Sequence, residues 1–357
     1  MTETSTPRAL GFRMPAEWEP HAATWLSFPR PDGISFPGLY DRVPALWARM
    51  VAELSTGEDV HVNVTDAADE AALEACLAAS PIVRRERVFL HRIPTDEPWC
   101  RDHGPCFVTR PGEVAVVDWG YNAWGGKYPP YDRDDAVPRL VAALLGLRVF
   151  APGIVMEGGS LDVNGRGTLL TTESCLLNPN RNPTLDRAAI EEHLRAYLGV
   201  AHVIWLGDGI AGDDTDGHVD DITRFVAPDA IVTVIEDDPA DENHLPLAEI
   251  RERLRDARDQ DGRPFTILEL PMPKPVVRDG QRLPASYANF YVGNAVVLVP
   301  TFEDPNDARA LEVLRGCFPS RRVVGIDSRD LVWGLGAFHC ATQQQPATPS
   351  PAANEVP

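Results

Sequence analysis

Segments typical of helices and of strands alternate along nearly the whole chain. In residues 39–56, apolar side chains recur at three- and four-residue steps, which predicts an amphipathic helix. The same periodicity marks five more segments, at roughly 68–79, 134–146, 184–199, 245–258 and 306–317. Short β-branched or aromatic runs lie at 59–64, 88–93, 113–119, 147–152, 167–172, 202–206, 230–236, 265–270, 294–300 and 322–326. This alternation predicts an α/β architecture of several similar modules.

Composition limits what such a chain can be. Its 357 residues are 44% hydrophobic and 24% charged, as expected of a soluble globular protein. No Gly/Ser-rich linker divides the sequence, so residues 1–345 are predicted to form a single domain. The Pro/Ala-rich segment 346–357 is predicted to be a disordered tail.

The charge balance indicates the kind of ligand. Lys and Arg number 33 against 53 Asp and Glu, a net charge of −20, which repels nucleic acid and favours small cations in an acidic cleft. Six cysteines are scattered without a C-x-x-C pair, which fits a reducing cytoplasm. The sequence has neither a signal-peptide pattern nor an apolar run of about 18 residues, so we expect no membrane partner.

A glycine-rich segment, GDGIAG at 207–212, follows a predicted strand with the glycine spacing of dinucleotide-binding proteins. The residues after it, DDTDGHVDD at 213–221, do not resemble a helix, and their carboxylates would repel a pyrophosphate. The context therefore disfavours a nucleotide site.

The acidic segment itself contains a candidate site. If it is strand-like, His218 and Asp220 point to one face, where they could act as a general base and a cation-binding carboxylate. A solvated acidic loop is the alternative. The pair could also bind a metal ion, although further ligands at a standard spacing are missing.

Two more segments place a carboxylate beside a glycine turn. In WCRDHGP (99–105), the Gly-Pro turn would fix Asp102, unless that side chain only satisfies backbone N–H groups of the turn. In MEGGS (156–160), the glycines after Glu157 allow the backbone to approach a ligand, although they could equally form a bulge capped by Ser160.

Cys340 follows a glycine-bracketed apolar stretch near the C-terminus. A lone cysteine is usually a buried apolar residue, but it can also be a nucleophile. In an extended chain His339 would point away from the thiol, so His218 is the better candidate for its base.

Six segments together resemble the agmatine deiminase family, within the bacterial peptidyl-arginine deiminase superfamily. They are MPAEWEPH (14–21), WCRDHGP (99–105), MEGGS (156–160), DDTDGHVDD (213–221), YANFYVGN (287–294) and HCATQQQP (339–346). They occur in the family's order and span nearly the whole chain. The resemblance implies a five-bladed α/β propeller of ββαβ-type modules around a central active site.

The resemblance also implies roles for particular residues, without a metal or organic cofactor. Cys340 would be the nucleophile and His218 the general acid/base. Asp102 and Asp220 would hold a guanidinium, and Glu157 would contact His218 or the substrate. Trp99 and Asp216, in the same motifs, would line the pocket.

The implied reaction hydrolyses agmatine to N-carbamoylputrescine and ammonia through a thiouronium adduct on the cysteine. Free arginine, peptidyl-arginine or another guanidine is the alternative substrate; an α-carboxylate would require a cation such as Arg101 or Arg224 to face the pocket. The same residues would also suit a non-catalytic guanidinium- or amine-binding protein, or a zinc hydrolase using His218 with Cys340. A homodimer is possible.

The sequence departs from the family pattern beside the nucleophile. Where agmatine deiminases usually have Gly-Gly-Gly-Asn-Ile-His-Cys, this chain has GLGAFHC at 334–340, with Leu335, Ala337 and Phe338, which predicts a bulkier and more apolar wall. Asp220-Asp221 replaces the commoner Asp-Asn, which predicts one extra negative charge.

Overall fold

The computed structural model describes residues 5–350, which contain eighteen strands and ten α-helices. The strands are β1 (His21–Ser27), β2 (Asp59–Val64), β3 (Val88–Arg92), β4 (Cys106–Arg110), β5 (Glu113–Val117), β6 (Arg148–Phe150), β7 (Asp162–Val163), β8 (Thr168–Thr172), β9 (His202–Leu206), β10 (Thr223–Ala227), β11 (Ala230–Ile235), β12 (Thr266–Pro271), β13 (Val277–Arg278), β14 (Gln281–Arg282), β15 (Tyr291–Val292), β16 (Val296–Thr301), β17 (Arg322–Asp327) and β18 (Thr342–Pro346).

Six of the helices have eleven to fourteen residues, and four consist of about one turn. In chain order they are α1 (Val43–Leu54), α2 (Ala67–Ala78), α3 (Cys100–His103), α4 (Ala123–Gly126), α5 (Asp132–Leu145), α6 (Glu173–Leu176), α7 (Arg187–Leu198), α8 (His244–Asp256), α9 (Asp307–Cys317) and α10 (Phe338–Ala341). Among residues 5–350, no helix is long and apolar enough to cross a bilayer.

Five sheets share one arrangement. In the sheet β4-β5-β6, β4 is antiparallel to β5, a long helix (α5) follows, and β6 returns parallel to β5. The sheets β7-β8-β9, β10-β11-β12 and β15-β16-β17 repeat this order with α7, α8 and α9. In the sheet β18-β1-β2-β3, the last strand pairs antiparallel with the first, and the parallel strands β2 and β3 follow. We call each of these five sheets with its helices a module; a sixth sheet among the described residues, β13-β14, has only two strands.

Buried apolar side chains form four clusters, and each cluster contains residues from more than one module. The stripe of α1, with Trp47, Met50, Val51 and Leu54, is fully buried in one of four apolar clusters. The remaining clusters contain buried residues of the other modules and, in one case, Trp25 of β1. Helix starts follow ordinary capping rules: the Asp66 carboxylate accepts from two backbone N–H groups at the start of α2.

The segments that join one module to the next contain the buried polar residues that the sequence singles out. Asp102 lies between β3 and β4, Glu157 between β6 and β7, and His218 with Asp220 between β9 and β10. Cys340 lies between β17 and β18. Side chains far apart in sequence thus come from equivalent positions of successive modules.

All six predicted helices and all ten predicted strands are confirmed within about four residues. The sequence did not predict β1, β4, β7, β10, β13, β14, β15 and β18. The stretch around His218 is also not a strand, because Val219–Asp221 form a 3₁₀ turn. Similarly, His339 and Cys340 lie in the helical turn α10, not in extended chain.

The predicted start of the disordered tail at Pro346 is wrong. Pro346 is buried and pairs with His21 in the first sheet, the Ala347 N–H donates to the Pro20 carbonyl, and the Pro349 carbonyl accepts from Gly112. These bonds tie residues 346–349 to the domain. Residues 351–357 of that prediction lie outside the described range.

Candidate active site

The Cys340 thiol lies at the base of a cavity and is 5% exposed. The turn α10 is fixed by Asn289, whose side-chain oxygen accepts from the backbone N–H groups of His339 (3.0 Å) and Cys340 (3.3 Å). The amide nitrogen of Asn289 lies 3.0 Å from Sγ and donates towards it. Asp220 Oδ2 is 3.7 Å from the same sulfur. The thiol therefore has a neutral donor on one side and a carboxylate on the other.

Asp102 is held by groups from two distant segments. Its Oδ1 accepts from the Gly159 N–H and its Oδ2 from the indole N–H of Trp124, both at 2.9 Å. The partners therefore come from outside the Gly-Pro turn that the sequence suggested as its anchor. The carboxylate has a fixed orientation at the cavity wall.

His218 is completely buried between two carboxylates. Nδ1 lies 3.7 Å from Asp102 Oδ1, and Nε2 lies 3.8 Å from Glu157 Oε2. Neither ring nitrogen has a hydrogen-bond partner within residues 5–350, and the same is true of Asp220 Oδ1. Buried polar atoms are rarely left unpaired, so these three indicate a place for a polar ligand.

Gly159 shows how closely the three side chains converge. A Cβ atom at this position would lie 2.6 Å from His218 Nδ1, 2.7 Å from Asp102 Oδ1 and 3.1 Å from Asp220 Oδ2. A glycine is therefore required here by space. The glycines of the MEGGS segment permit this close approach, as the sequence suggested.

The cavity above Cys340 has a volume of about 170 Å³. Its lining is largely aromatic or apolar near the mouth, with Asp102 and Cys340 at the base. The lining residues are Ile34, Ser35, Pro37, Trp99, Asp102, Trp124, Tyr128, Asp214, Thr215, Gln281, Trp333, Gly334, Leu335, Gly336 and Cys340. Among the described residues, this lining includes no Lys or Arg.

Trp99 lies in the wall as predicted, with its ring against Gly334 and Gly336. Asp216 does not line the cavity, which corrects that prediction. Its carboxylate is bound by Arg181, by Asn180 Nδ2 at 2.9 Å and by Lys127 Nζ at 2.9 Å. A left-handed backbone (φ 68°) at Asp216 accompanies this separate ion-pair cluster.

Burial and the surrounding carboxylates set the charge of the thiol. Burial beside Asp220, Asp221 and Asp102 raises the pKa of Cys340 well above its usual range. Burial likewise raises the pKa of Asp102 to about 6, against the lowering effect of His218. These surroundings therefore favour the neutral thiol.

The two neighbouring carboxyls of the 3₁₀ turn differ. Burial alone would raise the pKa of Asp220, but the hydrogen bond and charge of His339 lower it. Burial beside Asp220 and Asp213 raises the pKa of Asp221 well above its usual range. The predicted extra negative charge is therefore suppressed, since these surroundings favour the neutral acid.

Burial opposes protonation of His218. Asp102 on one side of the ring and Cys175 and Glu157 on the other have the opposite and larger effect, so the pKa of His218 is raised well above its usual range. The imidazolium is thus the favoured form. Glu157 stays anionic because Arg181 and His218 lower its pKa, although burial acts in the opposite direction.

A possible metal-ligand group differs from the predicted one. Glu157, Cys175 and His218 offer ligand atoms within 4.8 Å of one another among the described residues, whereas Cys340 does not belong to this group. Arg181 Nε already lies 2.8 Å from Glu157 Oε1, and this fixed cation disfavours a metal ion. The predicted zinc pair of His218 with Cys340 does not form a ligand cluster.

Comparison with known proteins identifies the family of this chain. The family model of the Porphyromonas-type peptidyl-arginine deiminases matches residues 13–346. An agmatine deiminase from Ectopseudomonas mendocina is 40% identical, with 97% of this chain and 98% of the relative covered. The chain belongs to this family.

Solved structures of similar chains support the same assignment. An Enterococcus faecalis agmatine deiminase is 34% identical, with 96% of this chain and 98% of that chain covered and a TM-score of 0.89. A C. jejuni agmatine deiminase with bound substrate is 30% identical, with 95% and 97% covered and a TM-score of 0.86. The family's fold therefore extends over nearly the whole chain.

Sequence reasoning missed several residues of this family member's site. Asn289 lies in the YANFYVGN segment, which carried the resemblance but received no role. Trp124 lies outside the six motifs, and its left-handed backbone (φ 56°) cannot be predicted from the sequence. Glu17 lies in MPAEWEPH, and its partners became visible only in the structure.

Proposed function

We propose that the protein is an agmatine deiminase, a hydrolase of guanidino C–N bonds that converts agmatine and water into N-carbamoylputrescine and ammonia. The agmatine deiminases similar to this chain match it over nearly their whole length. The observation that carries the proposal is the convergence of one thiol, two carboxylates and an imidazole around unpaired buried polar atoms.

Asp102 and Asp220 suit a guanidinium ligand. A guanidinium is flat and presents paired N–H donors, and carboxylates on two sides would fix both its plane and its central carbon. Asp220 Oδ1 is free to accept, and the oxygens of Asp102 can accept a further hydrogen bond beside their present ones. Bound substrate would then place its carbon beside the sulfur of Cys340.

Arrival of this cation offsets the carboxylates that keep the thiol neutral, so the thiol releases its proton to solvent, and the Asn289 amide donates to the resulting thiolate. The thiolate attacks the guanidinium carbon and forms a C–S bond. His218, as imidazolium, gives its proton to the departing nitrogen, the C–N bond breaks, and ammonia leaves. A cationic thiouronium remains on Cys340.

Neutral His218 then takes a proton from water as the oxygen adds to the same carbon. The C–S bond then breaks, the proton of the added hydroxyl passes to the sulfur, and the thiol is restored as the neutral ureido group of the product forms. Glu157, held by Arg181, stabilises the charged form of His218 in both halves of the reaction. No redox partner is needed, because the atoms balance as substrate plus water.

The cavity favours agmatine over free arginine. An α-carboxylate would need a cation, but Arg101 and Arg224 are buried behind the site in contact with Glu17. The mouth instead presents aromatic walls and Asp214, which suit an alkyl chain that ends in an ammonium group.

The five modules with their site residues on joining segments support a five-bladed propeller, with the catalytic cavity at its centre. The bacterial relatives and six free thiols support a cytoplasmic location. The homodimer is a prediction from the family resemblance alone.

Ammonia release from agmatine, free arginine and a blocked arginine peptide tests the proposed function. We expect agmatine to have by far the highest kcat/KM and to remain a substrate after chelator treatment. Cys340→Ala should bind agmatine without releasing ammonia. Wild-type protein that binds agmatine but never turns it over would favour a non-catalytic binder, and loss of activity to chelators would favour a zinc hydrolase.

A further inference from the structure

We propose that His339 is a positioning residue, an imidazolium that keeps the Asp220 carboxylate ionised and aimed at the guanidinium. This inference rests on the proposed function, because it assigns Asp220 to substrate binding. From the sequence alone, His339 is only a poor candidate base for its neighbour Cys340.

Both ring nitrogens of His339 contact carboxylates. Nδ1 lies 2.6 Å from Asp220 Oδ2 and Nε2 lies 2.8 Å from Glu17 Oε2, with His339 only 2% exposed. The backbone is fixed as well, because the His339 N–H donates to Asn289 Oδ1. The ring therefore spans the space between an active-site carboxylate and one behind the site.

This geometry determines the protonation of the ring. A neutral imidazole has one donor and one acceptor, so it cannot donate to two ionised carboxylates. An acceptor nitrogen facing a carboxylate would require that carboxyl to be protonated. Glu17 pairs with Arg224 and Arg101 and accepts from the Val292 N–H, which are the contacts of an ionised carboxylate, so Nε2 of His339 donates to it. Nδ1 lies only 2.6 Å from Asp220 Oδ2, and we assign a second ring proton to this contact.

The carboxylate behind the site is itself anchored. Glu17 Oε2 lies 2.8 Å from Arg224 Nη2 and 3.5 Å from Arg101 Nη2, while Oε1 accepts from the Val292 N–H. Arg224 also forms an ion pair with Asp162. Three carboxylates (Asp220, Glu17 and Asp162) therefore balance three cations (His339, Arg224 and Arg101), so the buried network is neutral as a whole.

The imidazolium of His339 favours the ionised form of Asp220, which otherwise lies close to other acidic groups. The other titratable or charged groups near Asp220 are Asp102, His218, Asp221, Arg224 and Cys340. Those near His339 are Asp220, Glu17, Arg101, Arg224 and Asp162. Without the imidazolium, Asp220 and Asp102 would share a proton in the free enzyme, and a protonated carboxyl accepts guanidinium N–H groups poorly.

Two amide substitutions separate the charge from the hydrogen bond. His339→Asn places an amide nitrogen near the position of Nδ1, so the bond to Asp220 can persist without the charge. His339→Gln extends its amide towards the position of Nε2 and Glu17, so the bond to Asp220 is lost. The partly exposed His193, whose Nδ1 contacts the Ala189 carbonyl, supplies the control His193→Asn.

The readout is the pH profile of kcat/KM for agmatine. In the wild type we expect activity to rise through pH about 6, where Asp102 ionises. In His339→Asn this acid limb should move up by about one to three pH units, because an opposite charge has been removed. His339→Gln should also raise KM about 10-fold or more at every pH, since Asp220 loses its orientation. His193→Asn should change neither.

An unmoved acid limb in a His339→Asn variant with a wild-type melting temperature would overturn the proposal. If neither variant folds, ¹⁵N NMR of the wild type decides, with His339 assigned through its backbone. Two protonated ring nitrogens from pH 6 to 8 support the proposal, and a neutral ring overturns it. This measurement needs no turnover, so it separates failure of this inference from failure of the proposed function.

Discussion

Asp220 and Asp221 are adjacent acids in one 3₁₀ turn, but their surroundings differ. Asp220 has an unpaired Oδ1, and its Oδ2 meets His339 Nδ1. Asp221 Oδ1 accepts from Asn289 Nδ2 at 2.9 Å and lies among groups that favour its neutral form. A neutral acid and an amide have nearly the same shape and similar hydrogen bonds.

We therefore expect the two Asp→Asn substitutions to have very different effects. Asp220→Asn removes a guanidinium-binding charge and should lower kcat/KM for agmatine by about 10²–10⁴-fold. Asp221→Asn should stay within about 3-fold of wild type, because the amide oxygen can still accept from Asn289. Steady-state ammonia release with both variants tests this; equal losses would show that Asp221 acts as a charge.

Gly159 gives a second prediction for a single residue. Gly159→Ala should abolish most activity, because its Cβ would lie within 3.1 Å of atoms of His218, Asp102 and Asp220. Gly316→Ala is the matched control, since a Cβ there meets nothing within 4 Å. We expect kcat/KM to fall at least about 100-fold in the first variant, by displacement of reacting groups, and to be unchanged in the second. An active Gly159→Ala variant would contradict the described convergence.

At the scale of elements, the sequence predicted the long helices and two parallel strands of each module, but it missed the antiparallel strand of every module and, in the first module, β1 as well. β4, β7, β10, β15 and β18 are two to five residues long and largely buried. Several carry buried polar residues, such as Arg224 in β10 and Gln343 in β18. Their polar partners lie in distant segments, so neither alternation nor apolar runs marked them.

The site was predictable to a similar extent. Cys340, His218, Asp102, Asp220 and Glu157 were found because they lie in motifs that resemble a known family, and the structure brings them together. Local spacing was a poor guide to their conformation, because His218 and Cys340 lie in or beside one-turn helices, not strands. Asp216 was misplaced because its partners, Arg181 and Lys127, come from distant segments.

The turn before the nucleophile contains a strained residue. Leu335 has a left-handed backbone (φ 67°) and lines the cavity, where the family usually has glycine. Leu335→Gly relieves about 1–2 kcal/mol of strain but adds about 0.5–1 kcal/mol of unfolded-state entropy, so the melting temperature should hardly change. KM for agmatine should rise about 3–10-fold, because an apolar contact with the alkyl chain is lost.

Glu303→Gly is the control for this turn. Glu303 also has a left-handed backbone (φ 53°), but it is exposed and does not line the cavity. Its replacement should leave KM unchanged. An equal KM for Leu335→Gly and wild type would show that the Leu335 side chain does not contact substrate.

At the scale of the whole molecule, a net charge of −20 should draw a dicationic substrate to the cavity. We expect kcat/KM for agmatine to fall several-fold between about 0.01 and 0.5 M NaCl, as the Debye length shortens from about 30 Å to a few ångströms. The chemical step occurs in a buried site, so kcat should change much less. A kcat/KM independent of salt would contradict long-range attraction.

The arrangement of the modules also explains how the side chains of the candidate active site come together. Each segment that joins two modules ends near the cavity, so thiol, imidazole and carboxylates meet although they are far apart in sequence; Asp102 and Cys340, for example, line the same cavity. The central claim is that this meeting makes Cys340 a nucleophile towards a guanidinium. Acid-quenched enzyme during agmatine turnover, digested and analysed by mass spectrometry, tests it most directly. We expect an amidino adduct on the peptide that contains Cys340 and none in Cys340→Ala; steady turnover with no adduct, or with the adduct on Cys175, would show that Cys340 is not the nucleophile.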